Sequence, residues 1–369
     1  MSFLVKPTIS QSNSIKDFFA DWGVNEQDLI ITNDYVLSPH LGGEKAPCDV
    51  LFQEQHGSGE PNDEMVDSML SAASGKDYRR VIAIGGGTVI DISKLFVFGN
   101  NLKCEEIFEQ GVKLERKRDL LILPTTCGTG SEATNISIIE FKQKQTKVGL
   151  AIPALYADEA VLIPALLSTI PYDVFAASSI DALIHATESY VSPKANDFTR
   201  ALGKAAITKI LQGYMGLTKN QAKGTLPEDM EPYLTASTMA GIAFGNAGCA
   251  AVHALSYPIG GIYHVPHGKA NYLVFEAVFK GYQKLGADIS ILEKVYAEVL
   301  DCKLADVWKT LFGLLDKVLD RAPLRELGID QKQCAEMADS VIKNQQRLLA
   351  NNPVQLSQKD IEEIYLSCL

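Results

Sequence analysis

The sequence lacks the cysteine and apolar patterns of several common protein classes. Its 7 cysteines are scattered from Cys48 to Cys368, and none forms a CxxC pair. This absence argues against both a disulfide framework and a thiolate zinc site. No apolar run approaches the roughly 18 residues of a membrane-spanning helix, and the first residues lack the basic and apolar segments of a signal peptide. We therefore expect a reduced, cytoplasmic protein that has no membrane partner.

Basic clusters are missing as well. Lys and Arg number 34 against 45 Asp and Glu, which gives a formal net charge of -11. An acidic chain without basic runs argues against nucleic acid as a partner. The 46% of hydrophobic and 21% of charged residues are ordinary for a globular protein. At 369 residues the chain is long for a single hydrophobic core, so two domains are expected.

Strand-like and helix-like segments alternate in the first part of the chain. Short apolar runs occur at residues 28–31, 81–84 and 119–124, and helical spacing follows the first of the glycine-rich loops. Such alternation predicts an α/β domain with a mostly parallel sheet. From Pro164 onwards, Ala/Leu-rich segments with helical periodicity dominate. The sequence thus predicts an α/β domain over residues 1–163 and an all-helical domain over residues 164–369.

Two loops of small residues follow predicted strands. Gly85, Gly86 and Gly87 lie between a strand and a helix, and residues 125–131 form a second loop rich in Thr, Gly and Ser. Glycine lets a backbone approach a ligand closely, and the free N–H groups of a helix start favour an anion. Neither GxGxxG nor a P-loop is present. A tight turn would explain the first loop alone, whereas two such loops favour a pyrophosphate-containing ligand.

The chain has only 6 histidines, and four of them lie in two short stretches. Asp181 and His185 are four residues apart, which places both side chains on one face of a helix. His253 and His267 flank a Pro-Ile-Gly-Gly segment that lets the chain fold back. Three imidazoles and one carboxylate suit Fe(II), Zn(II) or Mn(II) better than Ca(II) or Mg(II). Each histidine alone would be explained by a hydrogen-bonded core position; the set favours a metal site.

These motifs together resemble those of the iron-containing (group III) alcohol dehydrogenases. They are GGGTVIDISK at residues 85–94, PTTCGTGSE at residues 124–132, and the four candidate ligands. The resemblance covers essentially the whole chain. It implies a dehydroquinate synthase-like architecture, in which a Rossmann-like N-terminal domain binds NAD(P) and an all-α C-terminal domain binds metal and substrate across a cleft.

The resemblance also implies roles for individual residues. The expected metal ligands are Asp181, His185, His253 and His267. The expected cofactor-binding residues are Asn33, Gly85, Gly86, Gly87, Thr88, Asp91, Thr125, Thr126, Thr129, Ser131 and Lys147. The expected catalytic residues are His267, Tyr257 and His264. His264 is alternatively a bystander near the metal.

Two positions depart from the pattern of the family. Tyr257 stands where many members have a histidine, so Tyr257, His264 or water would relay the proton. Asn33 stands where an acidic residue often binds the cofactor ribose, and Asp34 is one position away. A carboxylate there favours NAD over NADP. We expect NAD as the cofactor, with NADP as the alternative, and Fe(II) as the metal, with Zn(II) as the alternative.

The expected activity is hydride transfer between NAD(P) and a small alcohol or aldehyde, with the metal as Lewis acid. Within the family, the resemblance carried by stretches such as SSIDALIHATESYVSPKA and QQRLLANN implies the pair 4-hydroxybutyrate and succinate semialdehyde. The alternatives are another short-chain alcohol or diol, a dehydroquinate synthase-like lyase that uses NAD and metal, and a non-enzymatic binding protein. A homodimer or larger homo-oligomer is expected.

Three residues near the candidate ligands complete the predictions. Lys269 and Asn271 follow His267 closely and are candidates for binding a substrate carboxylate. Glu188 lies one turn after His185 and either orients a ligand or is solvated. We expect it to be solvated.

Overall fold

The computed structural model describes residues 3–99, 101–144, 146–220 and 222–369. Its contacts divide the chain into two compact units. The first unit is Val5–Ile170, and the second is Pro171–Leu369 together with Phe3 and Leu4. The sequence predicts a domain boundary after residue 163, and the first unit ends shortly after that position.

The first unit alternates strands and helices. Its strands are β1 (Thr8–Gln11), β2 (Asp28–Thr32), β3 (Asp49–Phe52), β4 (Arg80–Gly85), β5 (Asp119–Pro124), β6 (Ile136–Phe141), β7 (Thr146–Ala151) and β8 (Glu159–Leu162). Its α-helices are α1 (Ile15–Asp21), α2 (Asp34–Leu41), α3 (Asp63–Ala72), α4 (Gly87–Leu95) and α5 (Cys104–Gln110).

Six of these strands form one parallel sheet in the order β1-β8-β5-β4-β2-β3. Strands β2 and β4 are buried along their whole length, which explains their nearly continuous apolar runs. Strands β6 and β7 pair separately as an antiparallel hairpin. The predicted Rossmann-like α/β fold is confirmed.

The second unit is helical throughout its described residues. Its α-helices are α6 (Tyr172–Val191), α7 (Asp197–Asn220), α8 (Glu231–Ala247), α9 (Ala251–Tyr263), α10 (His267–Lys284), α11 (Ser290–Leu300), α12 (Val307–Val318), α13 (Gln331–Asn344), α14 (Gln346–Leu349) and α15 (Gln358–Leu366). Helix α6 lies at the centre of this unit and packs against α7, α8 and α10. It is buried on nearly all sides from residue 179 onwards, as expected of a helix without a broad polar face.

A helix that spans a bilayer must be both long and apolar. Across the described ranges no single helix meets both requirements, and one bent pair, Glu231–Ala247 with Ala251–Tyr263, meets them only when taken together.

Candidate metal centre and nucleotide loops

Helix α6 supplies the first two predicted metal ligands. Asp181 is 2% exposed and His185 is 5% exposed. Nδ1 of His185 lies 4.0 Å from Oδ2 of Asp181, as the four-residue spacing predicted. The ring of His185 stacks on Phe244 at a centroid distance of 4.3 Å. A carboxylate and an imidazole are therefore held side by side in the interior of the second unit.

Helix α9 brings the third ligand candidate against this pair. His253 is 3% exposed, and its Nε2 lies 3.5 Å from Oδ1 of Asp181. Its ring stacks on that of His185 with centroids 4.5 Å apart. Among the described residues, the buried Nε2 of His253 has no hydrogen-bond partner. A buried nitrogen without a partner is costly, and a cation at this position would satisfy it.

Helix α10 begins at the fourth ligand candidate. Nε2 of His267 lies 3.9 Å from Oδ1 of Asp181, and the next residue is Gly268. A Cβ on Gly268 would overlap the carbonyl oxygen of Ala177 in α6. The absence of a side chain therefore lets the start of α10 approach α6 closely enough to place His267 beside the carboxylate.

The resulting cluster has the properties of a cation site. One ligand atom each from Asp181, His253 and His267 lie within 4.8 Å of one another, and His185 adjoins both Asp181 and His253. Burial alone would raise the pKa of Asp181, but His185 and then His267 hold it well below its usual range. The structure thus brings all four predicted ligands together, and the set of three imidazoles and one carboxylate fits a divalent transition metal.

Glu188 is buried, so the expectation that it is solvated is wrong. It is 0% exposed, and its carboxylate accepts hydrogen bonds from the backbone N–H groups of Ala250 (2.9 Å) and Val252 (2.6 Å). Its Oε2 also lies 2.6 Å from Nδ1 of His253. The unpaired N–H groups at the start of α9 explain why a carboxylate is stable there.

The contact with Glu188 fixes the tautomer of His253. A carboxylate only accepts, so Nδ1 of His253 carries a proton, and in the neutral imidazole the Nε2 lone pair faces the cluster. Burial would lower the pKa of His253, but Glu188 and then Asp181 raise it to about 9. The surroundings of this imidazole therefore favour a positive charge, whether it is carried by a proton or by a metal ion.

Asn271, a candidate for binding a substrate carboxylate, is a further part of the cluster. Its Nδ2 donates to Oδ1 of Asp181 at 2.7 Å and to Nε2 of His267 at 3.2 Å. Both amide hydrogens are thereby directed at two ligand candidates, and the residue is 0% exposed. Asn271 lies four residues after His267 on α10, a spacing that could have suggested this contact.

Cys249 adjoins the cluster and was not considered from the sequence. Its sulfur and a nitrogen each of His185 and His253 lie within 4.8 Å of one another. Burial raises the pKa of the Cys249 thiol well above its ordinary value. Burial thus favours the neutral thiol at Cys249, whereas Asp181 is ionised and offers the cluster a carboxylate beside the three imidazoles.

The other two predicted catalytic residues, Tyr257 and His264, lie in different surroundings. Tyr257 is half-buried in α9, and its ring lies 6.1 Å from that of His267. Burial raises the pKa of Tyr257, so its hydroxyl stays protonated. His264 is exposed at the end of α9 in the left-handed conformation, with a φ of 54°. Tyr257 is thus the better placed of the two beside the ligand candidates.

In the first unit, the two small-residue loops lie against each other. Gly85 pairs with Pro124 at the carboxyl ends of β4 and β5, so both loops leave the same edge of the sheet. A Cβ on Gly86 would lie 3.1 Å from Thr126, and one on Gly87 would lie 3.1 Å from Thr129. Helix α4 begins at Gly87 without a side-chain cap. Its free N–H groups suit a phosphate.

Lys94 and Asp91 form hydrogen bonds with the second loop and with the strand that follows it. Lys94 was not identified from the sequence. The buried Nζ of Lys94 donates to Ser131 Oγ (2.7 Å) and to the carbonyl of Ile136 (2.6 Å). The Asp91 carboxylate accepts from Ser131 Oγ (2.7 Å) and from the N–H of Ile138 (3.0 Å). Burial lowers the pKa of Lys94 to about 8. Asp91 and Ser131, predicted to bind cofactor, thus have protein partners that shape the loop.

Asn33 lies at the carboxyl end of β2, beside an acidic residue that the sequence did not identify. Its Nδ2 donates to Gln53 Oε1 and to Glu54 Oε2, each at 2.9 Å. The other oxygen of Glu54 accepts from the N–H of Asp34 at 2.8 Å. Glu54 follows β3, the neighbour of β2. A carboxylate is therefore present beside Asn33, although a different strand supplies it.

The remaining cofactor candidates lie near the same loops. The Thr88 hydroxyl donates to the carbonyl of Gly59 at 3.2 Å. Lys147 on β7 forms an ion pair with Glu60. Thr125 is buried just after β5.

The sequence matches two family descriptions that together cover nearly the whole chain. The description "Iron-containing alcohol dehydrogenase" matches residues 13–164, and "Fe-containing alcohol dehydrogenase family, C-terminal" matches residues 175–369. The chain belongs to the iron-containing alcohol dehydrogenase family, which confirms the resemblance seen in its motifs, and it is an oxidoreductase of that class.

Among individual proteins, the chain is 44% identical over 361 residues to 4-hydroxybutyrate dehydrogenase of Clostridium kluyveri, covering 97% of each chain. It is 34% identical over 331 residues to long-chain-alcohol dehydrogenase 1 of Geobacillus thermodenitrificans, covering 83% of this chain and 79% of the relative.

Solved structures support the fold. Sulfoacetaldehyde reductase from Bifidobacterium kashiwanohense in complex with NAD+ superposes with a TM-score of 0.85 at 20% identity, covering 99% of this chain and 98% of that one. A 1,3-propanediol oxidoreductase superposes with a TM-score of 0.84 at 22% identity, covering 100% and 99%. At these identities the likeness concerns the fold alone.

Proposed function

We propose that this protein is a metal-dependent, NAD-linked dehydrogenase that interconverts 4-hydroxybutyrate and succinate semialdehyde. The observation that carries the proposal is the 44% identity to 4-hydroxybutyrate dehydrogenase over 97% of both chains. The buried cluster of Asp181 and three histidines supports the metal dependence.

The proposed metal ligands are Asp181, His185, His253 and His267. A divalent metal held there would supply Lewis-acid polarisation of the carbonyl oxygen, and NAD would accept or supply the hydride. Glu188 keeps the lone pair of Nε2 of His253 directed at the cluster, and Asn271 orients the Asp181 carboxylate. Such outer contacts fix the geometry and basicity of metal ligands.

Tyr257 is the proposed proton donor when the aldehyde is reduced. The alkoxide product of hydride transfer requires a proton. The Tyr257 hydroxyl carries one, and the ring of Tyr257 lies beside that of His267. Tyr257 would thus take the place of the histidine that many members of the family have at this position.

The nucleotide loops of the first unit support NAD as the cofactor. The uncapped start of α4 at Gly87 offers N–H groups to a pyrophosphate. The carboxylate of Glu54, held by Asn33 at the end of β2, would accept a hydrogen bond from the 2′-hydroxyl of the adenine ribose. The same charge would repel a 2′-phosphate, so we propose NAD in preference to NADP.

A substrate panel tests the proposed function. The protein is prepared anaerobically with Fe(II), and NADH oxidation is followed with succinate semialdehyde, propanal and butanal. We expect the highest kcat/KM for succinate semialdehyde, with one NADH consumed per aldehyde reduced. A higher kcat/KM for an uncharged aldehyde would indicate that the enzyme is a dehydrogenase of another short-chain alcohol. Turnover without net NADH change would indicate a lyase of the dehydroquinate synthase type.

A further inference from the structure

Cys249 lies in the short turn between α8 and α9, and the backbone of this turn is fixed. The carbonyl of Cys249 accepts a hydrogen bond from Nδ2 of Asn351 at 2.7 Å. The next N–H group, that of Ala250, donates to Oε2 of Glu188 at 2.9 Å. A Cβ on Gly248 would overlap the Asn351 amide, so the turn is tightly packed. The side chain of Cys249 therefore leaves the backbone from a fixed position.

The sulfur of Cys249 belongs to a second group of donor atoms, which overlaps the first. Its Sγ and one nitrogen each of His185 and His253 lie within 4.8 Å of one another. These three residues are buried, with exposed fractions of 8%, 5% and 3%. The group of Asp181, His253 and His267 offers one oxygen and two nitrogens, whereas the second group offers one sulfur and two nitrogens. The two groups thus share His253 but suit ions of different chemical softness.

The surroundings of the second group favour a cation. Oxygens of the Asp181 carboxylate lie 4.0 Å from Nδ1 of His185 and 3.5 Å from Nε2 of His253. Because Nδ1 of His253 donates to Glu188, Nε2 is the nitrogen of this imidazole that can bind an ion. That Nε2 is buried and has no hydrogen-bond partner among the described residues. Two buried carboxylates therefore provide negative charge beside a nitrogen that needs a partner.

A thiolate with two imidazoles is a donor set for thiophilic cations. Sulfur ligands favour soft and borderline ions such as Zn(II), whereas carboxylate oxygens favour harder ions. Bonds of about 2.3 Å to sulfur and about 2.0–2.1 Å to nitrogen are typical of Zn(II), so a bound ion would draw the three donors together. A thiol loses its proton when it coordinates a metal ion. The S–H bond breaks as the metal–sulfur bond forms, and the proton passes to solvent.

We propose that Cys249, His185 and His253 form a thiophilic metal site that competes with the proposed catalytic metal for the same two imidazoles. A soft divalent ion such as Cd(II) or Zn(II) binds there through one sulfur and two nitrogens. Both histidines also belong to the proposed catalytic ligands, so an ion held by Cys249 displaces Fe(II) and inhibits the enzyme. The competition rests on the proposed function, whereas the sulfur ligand itself does not depend on it.

Titration of the metal-free full chain with Cd(II) tests the sulfur ligand directly. A cadmium–thiolate bond has an ultraviolet charge-transfer band that bonds to nitrogen or oxygen lack. In wild type this band should grow and saturate at one ion per chain, whereas Cys249→Ala and Cys249→Ser should lack it. Cys334→Ala is the matched control and should retain the band, because Cys334 is also a buried free cysteine but lies on α13. No band in wild type, or an equal band in both Cys249 variants, would overturn the site.

The affinities for a soft and a hard ion separate a sulfur ligand from a residue that only supports the packing. Competition with a chelator gives both affinities. In Cys249→Ala the affinity for Cd(II) should fall at least about tenfold, since one of its few ligands is lost. The affinity for Mn(II) should change less than about threefold, because Mn(II) prefers oxygen and nitrogen donors. Equal losses for the two ions would show that Cys249 acts through packing alone and would overturn the sulfur ligand.

The Fe(II)-loaded holoenzyme tests the competition. Added Cd(II) should release one Fe(II) per chain as the charge-transfer band grows, and NADH oxidation with succinate semialdehyde should fall in parallel. Full retention of Fe(II) while the band grows would refute the competition. Failure of the Fe(II)-loaded wild type to reduce succinate semialdehyde before Cd(II) is added would refute the proposed function instead. The band and the iron release are measured without turnover, so the two failures are distinguishable.

Discussion

Oε2 of Glu188 lies 2.6 Å from Nδ1 of His253, and the same carboxylate accepts two backbone N–H groups at the start of α9. One buried side chain thus determines where the helix begins, which nitrogen of the imidazole carries the proton, and where its lone pair is directed. The position and the tautomer of this ligand candidate are therefore set by the same residue.

Replacing Glu188 should therefore weaken metal binding without removing a ligand. We expect Glu188→Gln to lower the affinity for Fe(II) or Zn(II) by about 10- to 100-fold, since the amide no longer provides the negative charge. Competition with a chelator measures this affinity. Glu298→Gln, an exposed change on α11, should leave it unchanged; equal affinities in all three proteins would contradict the role assigned to Glu188.

Gly268 should not tolerate a methyl group. In Gly268→Ala the new Cβ would overlap the carbonyl of Ala177, so α10 must move away from α6. Overpacking of this kind costs about 1–3 kcal/mol, and the metal content should fall because His267 moves with the helix. Thermal unfolding and metal analysis check both effects. Gly261→Ala, with no atom near its Cβ, should be neutral or slightly stabilising.

Lys94 should give the stability a characteristic pH dependence. Its folded pKa of about 8 lies below the ordinary lysine value of 10.5, so the unfolded chain binds more protons between these values. Stability attributable to Lys94 is therefore lowest below pH 8 and rises as the pH approaches 10.5. The free energy of unfolding of wild type minus that of Lys94→Met should rise by roughly 1–3 kcal/mol from pH 7 to 10. A difference that falls over this range would contradict the buried, desolvated lysine.

Glu54 should control the choice between the two dinucleotides. In Glu54→Gln the charge that repels a 2′-phosphate is removed, and we expect the ratio of kcat/KM for NADPH over NADH to rise roughly tenfold, which corresponds to about 1.4 kcal/mol. Initial rates with each cofactor give this ratio. Glu109→Gln on α5 is the matched control. An unchanged ratio would place the adenine ribose away from Glu54.

The sequence predicted those features that depend on residues close to one another along the chain. Continuous apolar strands predicted a parallel sheet, and the spacing of Asp181 and His185 predicted that they share a helix face. Glu188 and Lys94 were misjudged or missed because their partners are distant in sequence, with Glu188 and His253 separated by 65 residues. A charged residue on a helix is usually solvated, and only packing reveals that these two are buried.

Glu54 shows the same limit at the nucleotide loops. The pattern of the family predicts an acidic residue directly after β2, where Asn33 stands. The carboxylate comes from the end of the neighbouring strand β3 instead. The order of the strands within a sheet is not encoded in a local sequence pattern. The position of the Glu54 carboxylate beside Asn33 could therefore not be predicted.

Metal titration tests the central claim most directly. Protein stripped by a chelator receives increasing Fe(II) under anaerobic conditions, while NADH oxidation with succinate semialdehyde and the bound metal are both measured. Wild-type activity should rise with Fe(II) and saturate at one ion per chain. His253→Ala should bind little metal and stay inactive, yet should still bind NADH, because its nucleotide loops are unchanged. Full turnover by metal-free wild-type protein would contradict the account.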